Sequence, residues 1–140
     1  MPMPTSRSPL ELSKTLQVMI RNAVGVTKRK PAMPLYELRT YTLRVGTMAE
    51  AVKLYQEIGF PALQKGSHDK KLVGYFQADT GTINQILHLW KFDDDAGRRA
   101  HWAAVYANKD FVEGFASKFR PLLITQEVKL LQAAPWGPHP

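Results

Sequence analysis

The sequence predicts one α+β domain, a ferredoxin-like βαββαβ unit with a four-stranded antiparallel sheet, over residues 34–131. Three observations predict it. Four proline-free segments are rich in aromatic and β-branched residues, as strands are. Two intervening stretches carry apolar residues at helical spacing. Asp79-Thr80-Gly81-Thr82 joins the second and third strands through a turn too short for a helix. Strand, helix, two strands, helix and strand is the split βαβ order.

Leu35 to Leu43 reads as the first strand, ended by Gly46. Thr47 followed three residues later by Glu50 has the form of a capping box. Met48, Ala51, Val52, Tyr55, Ile58 and Leu63 then keep helical spacing, with a kink or restart expected near Gly59 because of Pro61. Leu72–Ala78 and Ile83–Phe92 read as the second and third strands. Asp93, Asp94 and Asp95 place negative charge where a helix N-terminus favours it; the alternative is a cation-binding cluster. That helix is expected to end near Ala107, with Asn108 as terminator. Asp110 is expected to cap a second short helix through Phe119, halted by Pro121. Leu122–Leu131 is the fourth strand, and residues 132–140 form a tail.

Composition excludes several classes. With no cysteine among 140 residues, disulfides, thiolate metal sites and cysteine nucleophiles drop out. No apolar run approaches the roughly 18 residues that a membrane span needs. The formal charge of +7 lies mostly in residues 1–33, where six basic residues meet Glu11 alone; residues 34–140 hold 13 basic and 11 acidic ones. A basic domain face, the footprint of a nucleic-acid binder, is not visible, and no nucleic-acid partner is expected of the domain. The arm has Pro2, Pro4 and Pro9, a modest amphipathic stripe at Leu12, Leu16, Met19, Ile20 and Ala23, and Lys28-Arg29-Lys30. It reads as a flexible tail, or upstream start, before Met33 in a cytoplasmic protein. The alternative is a transit peptide, which would make the location mitochondrial.

The strands themselves point to a partner. The third alternates Asn84, Ile86, His88, Trp90 and Phe92 with Gln85, Leu87, Leu89 and Lys91, so both sides carry large apolar groups. The fourth sets Ile124, Val128 and Leu130 opposite Leu123 and Leu131. A sheet with one face in water shows cleaner alternation. Its helices suffice for one face, and a two-fold dimer packing sheet on sheet is the simplest cover for the other.

Tyr36-Glu37-Leu38-Arg39-Thr40-Tyr41-Thr42-Leu43, His88-Leu89-Trp90, Pro121-Leu122-Leu123 and Trp136, taken in order, resemble the NIPSNAP family over residues 33–136. The resemblance is to a single-module, bacterial-type member. It implies a homodimer assembled as a dimeric α/β barrel, with a poorly defined activity. Vesicle- or organelle-associated adaptor roles proposed for longer eukaryotic members transfer poorly to one short module.

No phosphate loop, dinucleotide fingerprint, His-Glu-x-x-His or G-x-S-x-G pattern is present, and no cofactor is expected. His68, His88, His101 and His139 fall in a loop, a strand, a helix and the tail, none at metal-ligand spacing from another. His88, mid-strand between leucines, is the candidate for proton transfer or for orienting a polar ligand group; the plainer reading is a satisfied core histidine. Glu37, Arg39 and Tyr41 share one face of the first strand. They line a wet cavity, or Glu37 and Arg39 pair across neighbouring strands. Tyr75, Gln77 and Trp90 complete the candidate ligand-binding set. Trp102, Tyr106, Phe111 and Phe115 read as core, as Trp90 also does in the plainer reading, and Arg98 and Arg99 as solvated. Two functions follow: a small-molecule binder, enzymatic or not, with its pocket between sheet and helices, or a non-enzymatic scaffold whose arm meets partners.

Overall fold

The computed structural model describes residues 33–140, together with Lys14, and has the expected element order. The amphipathic stripe and basic cluster of residues 1–32 otherwise lie outside the described residues. The strands are β1 (Leu35–Leu43), β2 (Leu72–Gln77), β3 (Gln85–Phe92) and β4 (Leu123–Gln132). The helices are α1 (Met48–Leu54), α2 (Phe60–Lys65), α3 (Asp95–Ala107) and the single turn α4 (Ser117–Phe119). All neighbours in the sheet are antiparallel, in the order β2-β3-β1-β4. This is the ferredoxin-like α+β fold.

Local chemistry moves several boundaries. Asn84 takes a left-handed conformation, φ +62°, so β3 starts at Gln85 and not at Ile83. Thr47 does not cap α1. Its hydroxyl donates instead to the Arg44 carbonyl at 2.7 Å, closing the turn that Gly46 makes at φ +87°. The kink expected near Gly59 is a π-helical turn, Tyr55–Gly59, after which Pro61 sits in the first turn of α2. Asp94 caps α3 by accepting from the Gly97 amide at 2.7 Å. Asp110 is not a cap: the Asn108 side chain accepts from the Phe111 amide at 3.2 Å and starts a second π-helical stretch, Asp110–Ala116.

Alternation along β1 and β3 decides which face the helices cover. Ile86, His88, Trp90 and Phe92 are buried, and register puts Glu37, Arg39 and Tyr41 beside them on the same face. Leu43 and Ile86 pack with Ala51, Phe115, Ala116 and Phe119. Trp90 and Phe92 pack with Leu63 and Val105. Phe111 touches both clusters. The other face carries Leu38, Leu87, Leu89 and Phe76, the last 56 % exposed. At its end Tyr36 is buried, its hydroxyl bonded to His139 Nδ1 at 2.9 Å and donating to the Pro140 carbonyl.

Gly59 of the first π-helical turn packs directly against Phe115 of the second. A Cβ built there would lie 2.7 Å from the Phe115 ring, and that ring is held by its stack on Phe119. Gly59→Ala is expected to lower stability by about 1–3 kcal/mol, the usual cost of overpacking. Urea unfolding should show this as a lower midpoint at unchanged slope.

Candidate functional site

One rung of the sheet carries the site. Tyr75 on β2, His88 on β3, Arg39 on β1 and Val128 on β4 stand in register. A register shift between Leu72 and Gly74 puts Tyr75 opposite His88. The His88 ring lies between two phenol rings, stacked on Tyr41 at 5.1 Å and on Tyr75 at 4.9 Å between centroids. Above these residues the two core clusters do not close completely. They leave a cavity of about 320 Å³, of the order at which ligand pockets begin. Its floor is Tyr41, Tyr75, His88 and Trp90, its roof comes from Tyr55, Trp102, Tyr106 and the Phe111–Phe115–Phe119 stripe, and Arg120 and Gln126 also line it. A second, more open cavity of about 480 Å³ lies along β2 and shares Tyr55 and Tyr75 with the first.

The state of His88 follows from its partners. Trp90 Nε1 is 2.6 Å from His88 Nδ1, and an indole N–H only donates, so Nδ1 accepts. The ring proton of the neutral form therefore sits on Nε2, a buried atom with no hydrogen-bond partner among the described residues. Burial holds the imidazole well below its ordinary pKa, and the Arg39 charge pushes the same way. At neutral pH His88 is thus a neutral donor beside the cavity.

Arg39 and Glu37 do not line the cavity; they stand behind it. Glu37 is fully buried and accepts from Arg98 Nη1 at 3.0 Å. Arg98, expected in solvent, is only 16 % exposed for that reason. Glu37 does not pair with Arg39 across strands: both lie on β1, with Arg39 Nη1 3.5 Å from Glu37 Oε2 in an ion pair without a hydrogen bond. The Arg39 guanidinium lies 4.3 Å from the Trp102 ring centroid and donates to two phenol oxygens, Tyr41 at 3.1 Å and Tyr106 at 3.4 Å. Burial alone would lower its pKa, but those oxygens and Glu37 hold it above the ordinary value.

Tyr41, Tyr55 and Tyr75 keep their protons. Burial raises Tyr41 against the opposing pull of Arg39. Tyr55 is raised well above the ordinary value by burial and by Tyr75, and Tyr75 by burial and by Tyr41. Because the Tyr41 and Tyr106 oxygens accept from Arg39, their O–H groups remain to donate elsewhere. Among the described residues no carboxylate lines the cavity. No group of three or more His, Asp or Glu among the described residues is placed to hold a metal ion. No helix among them is long and apolar enough to cross a membrane.

Four of the candidate residues, Tyr41, Tyr75, His88 and Trp90, thus meet at the cavity, while Glu37 and Arg39 support it from behind. Gln77 lines the second cavity. Sequence reasoning assigned Trp102, Tyr106, Phe111 and Phe115 to core, and they form its roof. The available signal was the aromatic spacing 102/106 and 111/115/119, one side chain every four residues on a helical face.

The sequence profile described as NIPSNAP matches residues 36–138. A NIPSNAP family protein of unknown function from Agrobacterium tumefaciens has a similar crystal structure, with TM-score 0.69 and 32 % identity over 76 % of this chain and 94 % of that one. A NIPSNAP domain protein from Burkholderia xenovorans gives 0.66 and 30 %, covering 75 % and 99 %. SnoaB, a cofactor-independent oxygenase from Streptomyces nogalater, shares the fold at TM-score 0.51 and 16 % identity, covering 77 % and 100 %. Among curated proteins, human Protein NipSnap homolog 3A is 27 % identical over 125 residues, 89 % of this chain and 49 % of that protein. The chain spans about half the length of the first curated relatives it matches.

The buried imidazoles impose a pH dependence. His101 is lowered to about 4, by burial first and then by His68, and His88 is held well below its ordinary value by burial and then by Arg39. Below the ordinary histidine range, near 6.5, the unfolded chain binds protons that the folded chain refuses, so stability must fall as pH drops from about 6.5 toward 4. Denaturant midpoints between pH 7 and 5 are expected to decline, and His88→Gln combined with His101→Gln should flatten that slope.

Proposed function

The chain belongs to the NIPSNAP family, and we propose that it binds a small, largely planar molecule in the cavity between sheet and helices. One observation carries this: a buried histidine at the cavity wall whose Nε2–H has no partner among the described residues. An unpaired buried donor costs about 1–3 kcal/mol. A ligand oxygen placed there would offset that cost. Aromatic rings above and below supply the contact area for a flat body, and the phenol hydroxyls supply further donors. The ligand is therefore an aromatic or conjugated molecule bearing a carbonyl or other oxygen acceptor.

Within this reading His88 orients the ligand and does not abstract a proton. Its Nδ1 lone pair is used by Trp90, and its Nε2 already carries hydrogen. The SnoaB likeness supports the fold alone and adds no reaction.

The assembly we propose is a homodimer. Leu38, Leu87, Leu89 and Phe76 form an apolar sheet face opposite the helices, and Ile124, Val128 and Leu130 stand exposed on the edge strand β4. A second copy laid on the open face would bury Leu38, Leu87, Leu89 and Phe76 and close the sheets into a barrel. Sedimentation equilibrium at micromolar concentration should report a two-chain species, and Phe76→Lys should shift it to one chain. A wild-type protein that stays single at that concentration removes the dimer.

The binding claim is tested by titrating 2-acetylnaphthalene while following tryptophan fluorescence, in a Trp136→Phe background because Trp136 is exposed. Saturable quenching of Trp90 and Trp102 is expected. His88→Phe should weaken it about tenfold, the equivalent of one hydrogen bond. Quenching that never saturates, or that is equal in the variant, counts against the proposal.

A further inference from the structure

Resting on the cavity reading above, we infer that the site takes its ligand as an oxyanion, the ionised form of a phenol or enol, and that Arg39 is the positioning residue that imposes this charge state. The inference begins with how the charges behind the sheet balance. Glu37 is neutralised chiefly by Arg98, which makes the hydrogen bond, and Arg98 shares Asp95 with Arg99. Three arginines therefore face two carboxylates, leaving one positive charge. Arg39 holds the looser contact to Glu37 and reaches the oxygens of Tyr41 and Tyr106, both of which line the cavity.

A phenol oxygen that accepts from a guanidinium becomes a better donor through its own hydrogen, since each bond in a chain polarises the next. Arg39 therefore acts on the cavity through the hydroxyls of Tyr41 and Tyr106. His88 Nε2–H adds a donor, and Tyr55 and Tyr75 lie close enough to these groups to influence their ionisation. Among the described residues no side chain lining the cavity is acidic, while Arg120 brings a second cation. Of the groups facing the ligand, Tyr41, Tyr55 and Tyr75 hold their protons and His88 is neutral, so a negative charge beside them resides on the ligand oxygen. Donors to an anion and a nearby cation favour the ionised form, against the opposing effect of burial. A ligand without an ionisable hydroxyl would leave the positive field unmatched.

The test compares two probes of like shape. 4-Nitrophenol ionises near neutral pH and reports ionisation by its colour; 4-nitroanisole cannot ionise. In the wild type, 4-nitrophenol should bind more tightly than 4-nitroanisole, and its bound form should ionise about one pH unit lower than in water. Arg39→Met should abolish that shift and Arg39→Lys restore part of it. If Arg39→Met does not fold, Tyr41→Phe with Tyr106→Phe removes the two relays and should abolish the shift. Failure of both probes to bind the wild type would overturn the cavity reading and this inference together. Equal binding of both with unchanged or raised ionisation of 4-nitrophenol would overturn the anion alone. A lowered ionisation that survives every variant would overturn the role of Arg39.

Discussion

A fully buried carboxylate is the constraint around which this domain is arranged. Glu37, third residue of β1, has no exposed surface, and taking its charge out of water is tolerated only with cations in contact. α3 brings Arg98 to it and β1 brings Arg39. The docking of α3 on the sheet is thereby tied to the orientation of Arg39, which lies against Trp102 of the same helix. The fork of Arg39 then fixes where the hydroxyls of Tyr41 and Tyr106 stand. Packing and site chemistry are here one network.

That network explains why the cavity is polar in its donors yet aromatic in its surface. Ring contacts between Tyr55, Phe115 and Phe119 and between Trp90 and Trp102 build two stiff walls. Six-membered and indole rings pack edge to face with gaps that aliphatic chains would fill. His88 occupies the floor because its neighbours on either side are flat enough to sandwich it. A leucine there would pack as well and leave the cavity without its imidazole donor.

Much of the fold was legible because it rests on periodicities of two and 3.6. The face assignment of β3, with Ile86, His88, Trp90 and Phe92 together, and the span of β1 are read directly from alternation. Placement of Thr47 and Asp110 was not, since a cap depends on the backbone angle before the helix, which Gly46 and Asn108 determine. Arg98 looked solvated because its one buried partner is 61 residues away on another element. The same distance hid the roof of the cavity. An aromatic stripe on a helix looks alike whether it meets a full core or an incomplete one, and only the sheet beneath decides.

The two π-helical stretches, Tyr55–Gly59 and Asp110–Ala116, bear on how such a domain changes over time. Each inserts one extra residue into a helical turn, an arrangement that elsewhere gathers at functional sites. Deleting a single residue from either stretch would restore ordinary winding and swing every side chain on that stretch by about 100° about the axis. Tyr55, Phe111 and Phe115 would rotate away from the space they enclose, with the strands untouched. One codon's loss or gain is thus enough to open, reshape or abolish the chamber, a coarser and faster route to a new occupant than the exchange of its wall residues one by one.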